Sequence, residues 1–154
     1  MSYYFLALLI GVVAGLRALT PVAAVSWAVR LARLHLEGTW LAFLGYSATP
    51  YIFSLLALLE LVNDKLPKTP SRKVPSQFVT RIVTGAFSGA AIGMGGHMMI
   101  GGFIAGAVGG VLGTLGGAEG RGRLAKAFGS DLPAALTEDA VAVLGATLIV
   151  SQIP

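Results

Sequence analysis

Arg17 lies near the middle of an almost wholly apolar run, Tyr3 to Val29, in the string AGLRALTPVA (Ala14–Ala23). A guanidinium at the centre of a bilayer costs at least ~2.5 kcal/mol, so such a residue needs a partner or a task. Four acids can answer it. Glu60 and Asp64 are four apart and share a helix face. Glu138 and Asp139 sit more than one turn inside a later apolar segment. Arg81 opens another such segment. Gly15 and Pro21 flank Arg17 and allow the helix to unwind there. An unwound helix exposes N–H groups at the start of its second half, and together with Arg17 and Thr20 these favour an anion. The carboxylates favour a proton or cation. The candidate ligand-binding set is therefore Arg17, Thr20, Glu60, Asp64, Arg81, Glu138 and Asp139, suited to a small anionic or zwitterionic solute or to an ion. The bland reading of the same residues is an internal salt bridge from Arg17 to Glu138 or Asp139, with a solvated helix end at Glu60, Asp64 and Lys65.

Other chemistry is thinly supported. No nucleophile has a nearby base, and no catalytic residue or cofactor is assigned. His35 and His97 read as loop residues. A metal held by Glu60, Asp64, Glu138 and Asp139 is conceivable, since carboxylates suit hard cations, but the spacing follows no ligand motif. GGAEGRGR (Gly116–Arg123) is basic and glycine-rich yet lacks the strand and lysine of a phosphate loop.

The elements that position these residues follow from composition. The 154 residues are 55% hydrophobic and 12% charged, with mean hydropathy +0.79, 21 glycines and no cysteine. About 25% charged is usual for soluble domains, so an all-α integral membrane protein is expected, in a single domain over 1–154. The net charge of +4 sits beside apolar runs and implies no nucleic-acid role. No cleavable signal peptide is evident.

Five segments have spanning length: Tyr3–Val29, Trp40–Leu66 with a break at GYSATP, Phe78–Gly96, Met98–Gly117 and about Pro133–Ile153. The loop DKLPKTPSRKVPSQ (Asp64–Gln77) carries three prolines and reads as an extended surface loop. Seven Lys/Arg in this loop and after the fourth segment oppose Arg30 and Arg33. The positive-inside rule then places the N-terminus inside and the C-terminus outside, with the Pro21 or Pro50 region re-entrant as the alternative. Gly85, Gly89 and Gly93, then Gly102, Gly106 and Gly110, recur every four residues, as do Gly109, Gly113 and Gly117. Such faces let backbones approach, within the chain or between copies, and a homo-oligomer is expected. LIGVVAG (Leu9–Gly15) and AVGGVLG (Ala107–Gly113) are alike, and in a five-span topology they form an inverted repeat.

Three strings together, GVVAGLRALTPVAAVSWA, LLELVNDKLPKTPSR and GAVGGVLGTLGG with LTEDAVAV, resemble the bacterial membrane family called domain of unknown function 4126. The resemblance covers nearly the whole chain. It implies a small multi-spanning helical protein of the bacterial inner membrane and no activity. The matching positions include Arg17, Glu60, Asp64, Lys65, Pro67, Pro70, Arg72, Arg81, Glu138 and Asp139. The expected architecture is thus a bundle of about five transmembrane helices with at least one broken helix. The expected function is a transporter or channel-like protein. A structural or assembly protein whose charges are packing bridges is the alternative, and a lipid-headgroup enzyme the third.

Overall fold

Ser2 opens the first helix, its hydroxyl accepting the Phe5 N–H at 3.3 Å. That helix, α1, runs Tyr3–Leu16 and stops where Arg17 turns extended. Pro21 sits in the first turn of α2 (Thr20–Arg30), where its missing N–H is harmless. A 3-10 turn (Trp40–Gly45) leads to α3 (Thr49–Asn63), which Pro50 starts in the same way. Then follow α4 (Pro75–Gly95), α5 (Met99–Phe128) and α6 (Asp131–Ser151). Gly129, at φ +70°, ends α5. This computed structural model describes residues 1–68 and 71–154; Pro70 of the family resemblance lies outside them.

Among the described residues the fold is all-helical. Helices α4, α5 and α6 are long and apolar enough to cross a membrane, and α1 and α3 are shorter apolar helices. Large apolar side chains such as Leu55, Leu58, Ile100, Leu144 and Leu148 are more than half exposed. A surface of that kind suits lipid, and the chain reads as a membrane protein.

Glycine sets the packing. A Cβ on Gly109 would overlap the Leu8 carbonyl, and one on Gly113 the Val12 carbonyl. These pairs step in the same direction, so α1 and α5 are parallel. Gly85 and Gly89 meet Gly106, Gly93 meets Gly102, and Gly110 meets the Arg81 carbonyl, so α4 and α5 are antiparallel. The glycine faces are thus filled within one chain, which removes the sequence-based motive for a homo-oligomer. The parallel pairing of α1 with α5 also overturns the inverted repeat proposed for Leu9–Gly15 and Ala107–Gly113.

Two ends of the bundle can be named. At one, Tyr3 packs beside Gly96, Leu34 beside Gly95 and Tyr4 beside Gly101, and Arg33 donates to the Ser151 carbonyl at 3.5 Å. We call this the tyrosine end. The opposite, charged end holds Arg17, Glu60 and the starts of α4 and α6. The run Tyr3–Val29 is therefore not one span. It is a hairpin: α1 reaches the charged end and α2 returns, with Trp27 of α2 bonded to Ser54 of α3 at 2.9 Å. The alternating six helices put both termini at the tyrosine end, which corrects the expectation that the N-terminus shares a side with the basic loops.

Two further expectations change. The fourth segment does not stop at Gly117, because α5 continues through GGAEGRGR to Phe128, with Arg123 and Glu119 paired one turn apart at 2.9 Å. Nor is Asp64–Gln77 surface throughout, since Arg72 is buried.

Two measurements check this arrangement. Cysteines at Ser2 and Ser151 should react with an impermeant reagent from one side of the membrane and a cysteine at Ser71 from the other; Ser2 labelling together with Ser71 would restore the odd-span topology. Gly106→Leu should lose at least ~3 kcal/mol, the upper end of overpacking costs, while the lipid-facing Val108→Leu stays near wild type in detergent melts.

A candidate site at the broken helix

The break between α1 and α2 leaves backbone groups without helical partners, and charged side chains meet them. Ala18 N–H and Leu19 N–H donate to Glu60 Oε1 and Oε2 at 2.7 and 2.8 Å. The carbonyls of Gly15 and Leu16 accept from Arg81 Nη1 at 3.0 and 2.6 Å. A carboxylate thus sits at the start of α2 and a guanidinium at the end of α1, each opposite in sign to the helix dipole it faces. The expected anion position at the unwound segment exists, and the chain's own Glu60 fills it.

Arg17 is wholly buried. Its Nη2 lies 2.5 Å from Asp139 Oδ1, its Nε donates to the same oxygen at 2.7 Å, and its Nη1 lies 2.6 Å from Asp64 Oδ2. Glu138 is more distant at 3.5 Å. Read as one crossing, Tyr3–Val29 would place Arg17 in mid-helix. The hairpin instead turns at Arg17, about 21 Å of rise from Tyr3, at the level where the acidic segments of α3 and α6 converge.

Beyond these the network extends to residues that the sequence did not single out as ligands. Arg72 pairs bidentately with Glu138, its Nη2 at 2.7 Å from Oε2. Arg121 clamps Asp131 at 3.0 and 2.7 Å and reaches Asp64 at 3.0 Å. Lys65 pairs with Asp139 and also donates to the Leu61 carbonyl at 2.8 Å. Arg17, Lys65, Arg72, Arg81 and Arg121 balance Glu60, Asp64, Asp131, Glu138 and Asp139, a formal charge of zero. The usable signal was this balance: five of the chain's seven acids join the network.

Thr20 does not join. It is buried, its hydroxyl has no partner among the described residues, and it lines a groove of about 280 Å³ between α2, α3 and α6. At the charged end, a cavity of about 480 Å³ opens over the network, lined by Asp64, Lys65, Ser71, Arg72, Arg121 and Asp131 among others. Among the described residues no three His, Cys, Asp or Glu are grouped to hold a metal ion. On the far side the interior is filled by Leu6, Ile10, Val13, Ala142 and Ala146.

Comparisons with family models, with curated proteins and with solved structures find no match to this chain.

Burial pushes the Asp64 carboxyl up, but Arg17 and Arg121 outweigh it and hold the group below its ordinary 3.8. The folded state then binds this proton less tightly than the unfolded chain. Its stabilising contribution is complete above pH 3.8 and disappears as pH falls through the lower folded value. Asp64→Asn should therefore flatten the acid limb of thermal stability in detergent; an unchanged limb would assign it to other carboxylates. Arg17→Ala should cost about 3–5 kcal/mol, because Asp64 and Asp139 lose their shared cation. A smaller loss would mean that Lys65 and Arg121 suffice.

Proposed function

We propose that this is a multi-pass protein of the bacterial inner membrane that moves a small anionic or zwitterionic solute. On this reading the break at Arg17–Leu19 is the site and the charge network its gate. The observation that carries it is the broken helix whose two ends are held by Glu60 and Arg81, and which Arg17 joins to Asp64 in the wall of a polar cavity. Broken helices inside membranes are tolerated where they line a cavity or bind a solute. A buried ionic network is also a poor way to gain stability, which favours a working role over a purely structural one. The packed interior toward the tyrosine end fits a state open on one side only.

The basic count orients the chain. Seven Lys/Arg in the loop after α3 and in the end of α5 oppose Arg30 and Arg33 at the other end. The charged end is then cytoplasmic and both termini outside. The resemblance to domain of unknown function 4126 agrees with this setting and supplies no activity. The mechanism works in a single chain, and a homo-oligomer would use the lipid-facing surface.

A second reading has its own support. Among the described residues every network carboxylate except Glu60 is ion-paired, as a clamp that only holds α1, α3 and α6 together would require. Purified protein in liposomes, offered radiolabelled formate, acetate, alanine and phosphate, separates the two. Transport requires saturable uptake of at least one, reduced more than tenfold in a folded Asp139→Asn variant. Absence of saturable uptake for all four leaves the clamp.

A further inference from the structure

We propose that a phospholipid with an anionic headgroup binds in the groove between α2, α3 and α6. Its acyl chain lies along α2, its ester carbonyl accepts from the Thr20 hydroxyl, and its phosphate meets Lys65. The groove is on the outer side of the bundle, so the inference goes beyond the transport reading and does not depend on it.

The shape suits a chain. The groove at Thr20, about 280 Å³, shares Ala24, Trp27 and Thr147 with a second of about 320 Å³ that continues to Leu31 and Val150. From Thr20 to Leu31 is about 16 Å of helix rise. A small solute has no use for that length, whereas an extended hydrocarbon does. Alanines make the floor, at positions 23, 24, 57 and 146, and the exposed Leu58 and Val143 open the groove to lipid. Within α3 only Pro50 and Ala57 are buried, so the gap between α3 and α6 is left to the membrane.

Two polar groups say what the chain carries. The Thr20 side chain is 7% exposed and lines the groove, and its hydroxyl has no partner among the described residues. The other hydroxyls of the wall are engaged: Ser54 accepts from Trp27 at 2.9 Å, and Thr147 donates to the Val143 carbonyl at 2.8 Å. A buried hydroxyl is normally satisfied, and a lipid carbonyl in the groove would satisfy this one. Leu61 lines the groove with Thr20, and Lys65 lies about 6 Å of rise beyond it toward the charged end. The Lys65 ammonium has three N–H donors. The Leu61 carbonyl at 2.8 Å and Asp139 take two, which leaves a third for a phosphate oxygen. Ester below phosphate is the order of a glycerolipid.

Charge selects the headgroup. Outside the balanced network, the charged end carries Lys68, Lys73, Arg123 and Lys126 against Glu119, four positive and one negative, or +3. A headgroup with a net negative charge complements that surplus, and a zwitterionic one does not.

The test uses the full-length protein with Trp40→Phe, which leaves Trp27 in the groove wall as the one tryptophan. It is reconstituted in vesicles of phosphatidylcholine containing brominated phosphatidylglycerol or brominated phosphatidylcholine, whose bromines quench the indole on contact. Phosphatidylglycerol should occupy the groove about fivefold more tightly than phosphatidylcholine. Ala24→Leu, which fills the groove where its two parts join, should abolish the preference. Unbrominated phosphatidylglycerol should displace the brominated lipid about fivefold better than its diether analogue, which lacks the carbonyl, and Thr20→Val should erase that difference. Equal quenching by the two brominated lipids, or an ester–ether difference that survives in Thr20→Val, would overturn the proposal. So would Trp27 shielded from both lipids in a protein that cross-links as a dimer, which would make the groove an interface between copies.

Discussion

An interrupted helix in a membrane must have its freed backbone groups met from elsewhere, and the arrangement at the charged end follows from that need. Between Leu16 and Thr20 the chain reverses, leaving carbonyls at the end of α1 and N–H groups at the start of α2. Within a bundle that faces lipid, other groups of the chain must satisfy them. Glu60 and Arg81 do so, and the sign of each suits the helix end it meets. Bringing these charges into the bundle creates a second requirement, since each must be neutralised in turn. Arg17, Asp64 and Asp139 form the next layer, and Lys65, Arg72, Arg121, Asp131 and Glu138 the outer one.

Such a layered network needs helices held at close and constant separation. Glycine provides this. Where α5 meets α1 and α4, backbone lies directly on backbone, and no side chain intervenes to adjust the fit. The large apolar residues are correspondingly on the outside, where lipid receives them. The parallel packing of α1 and α5 places the end of α1 beside Thr114 and Gly117, and Gly117 in turn lies beside Arg72 and Glu138. Tight packing at the end of α1 thus sets the geometry of the charges beside it.

The network can be read as a clamp or as a working site, and the distinction turns on exchangeability. Asp64, Asp139 and Glu138 are each shared between two or more cations, so displacing any one disrupts several pairs. Glu60 differs in that, among the described residues, backbone N–H groups are its hydrogen-bond donors and no cation lies within ion-pair distance.

Much of this was readable in the residues. A charge in an apolar run, with glycine before it and proline after, marked Arg17 as internal and its helix as broken, because burial of a guanidinium in lipid is costly wherever the chain goes. The helical segments and the close-packed glycine faces were legible for the same local reasons; of the two acids expected to meet Arg17, Glu138 and Asp139, the structure brings Asp139 closer. Direction was not legible. Hydrophobic periodicity is the same for a helix running up or down, so the hairpin at Arg17, the parallel pairing of α1 with α5 and the shared side of the termini emerged only from the packing. Nor could Arg72 be found, since it lies in a proline-rich loop and meets Glu138 across 66 positions. Arg121 was hidden by a glycine-rich string that reads as loop but continues as helix. The sequence by itself determined the solvent this chain requires and the presence of buried charge, because both depend on composition and spacing. Which charges meet was decided by tertiary structure, because an ion pair depends on distance in space and no local pattern encodes it.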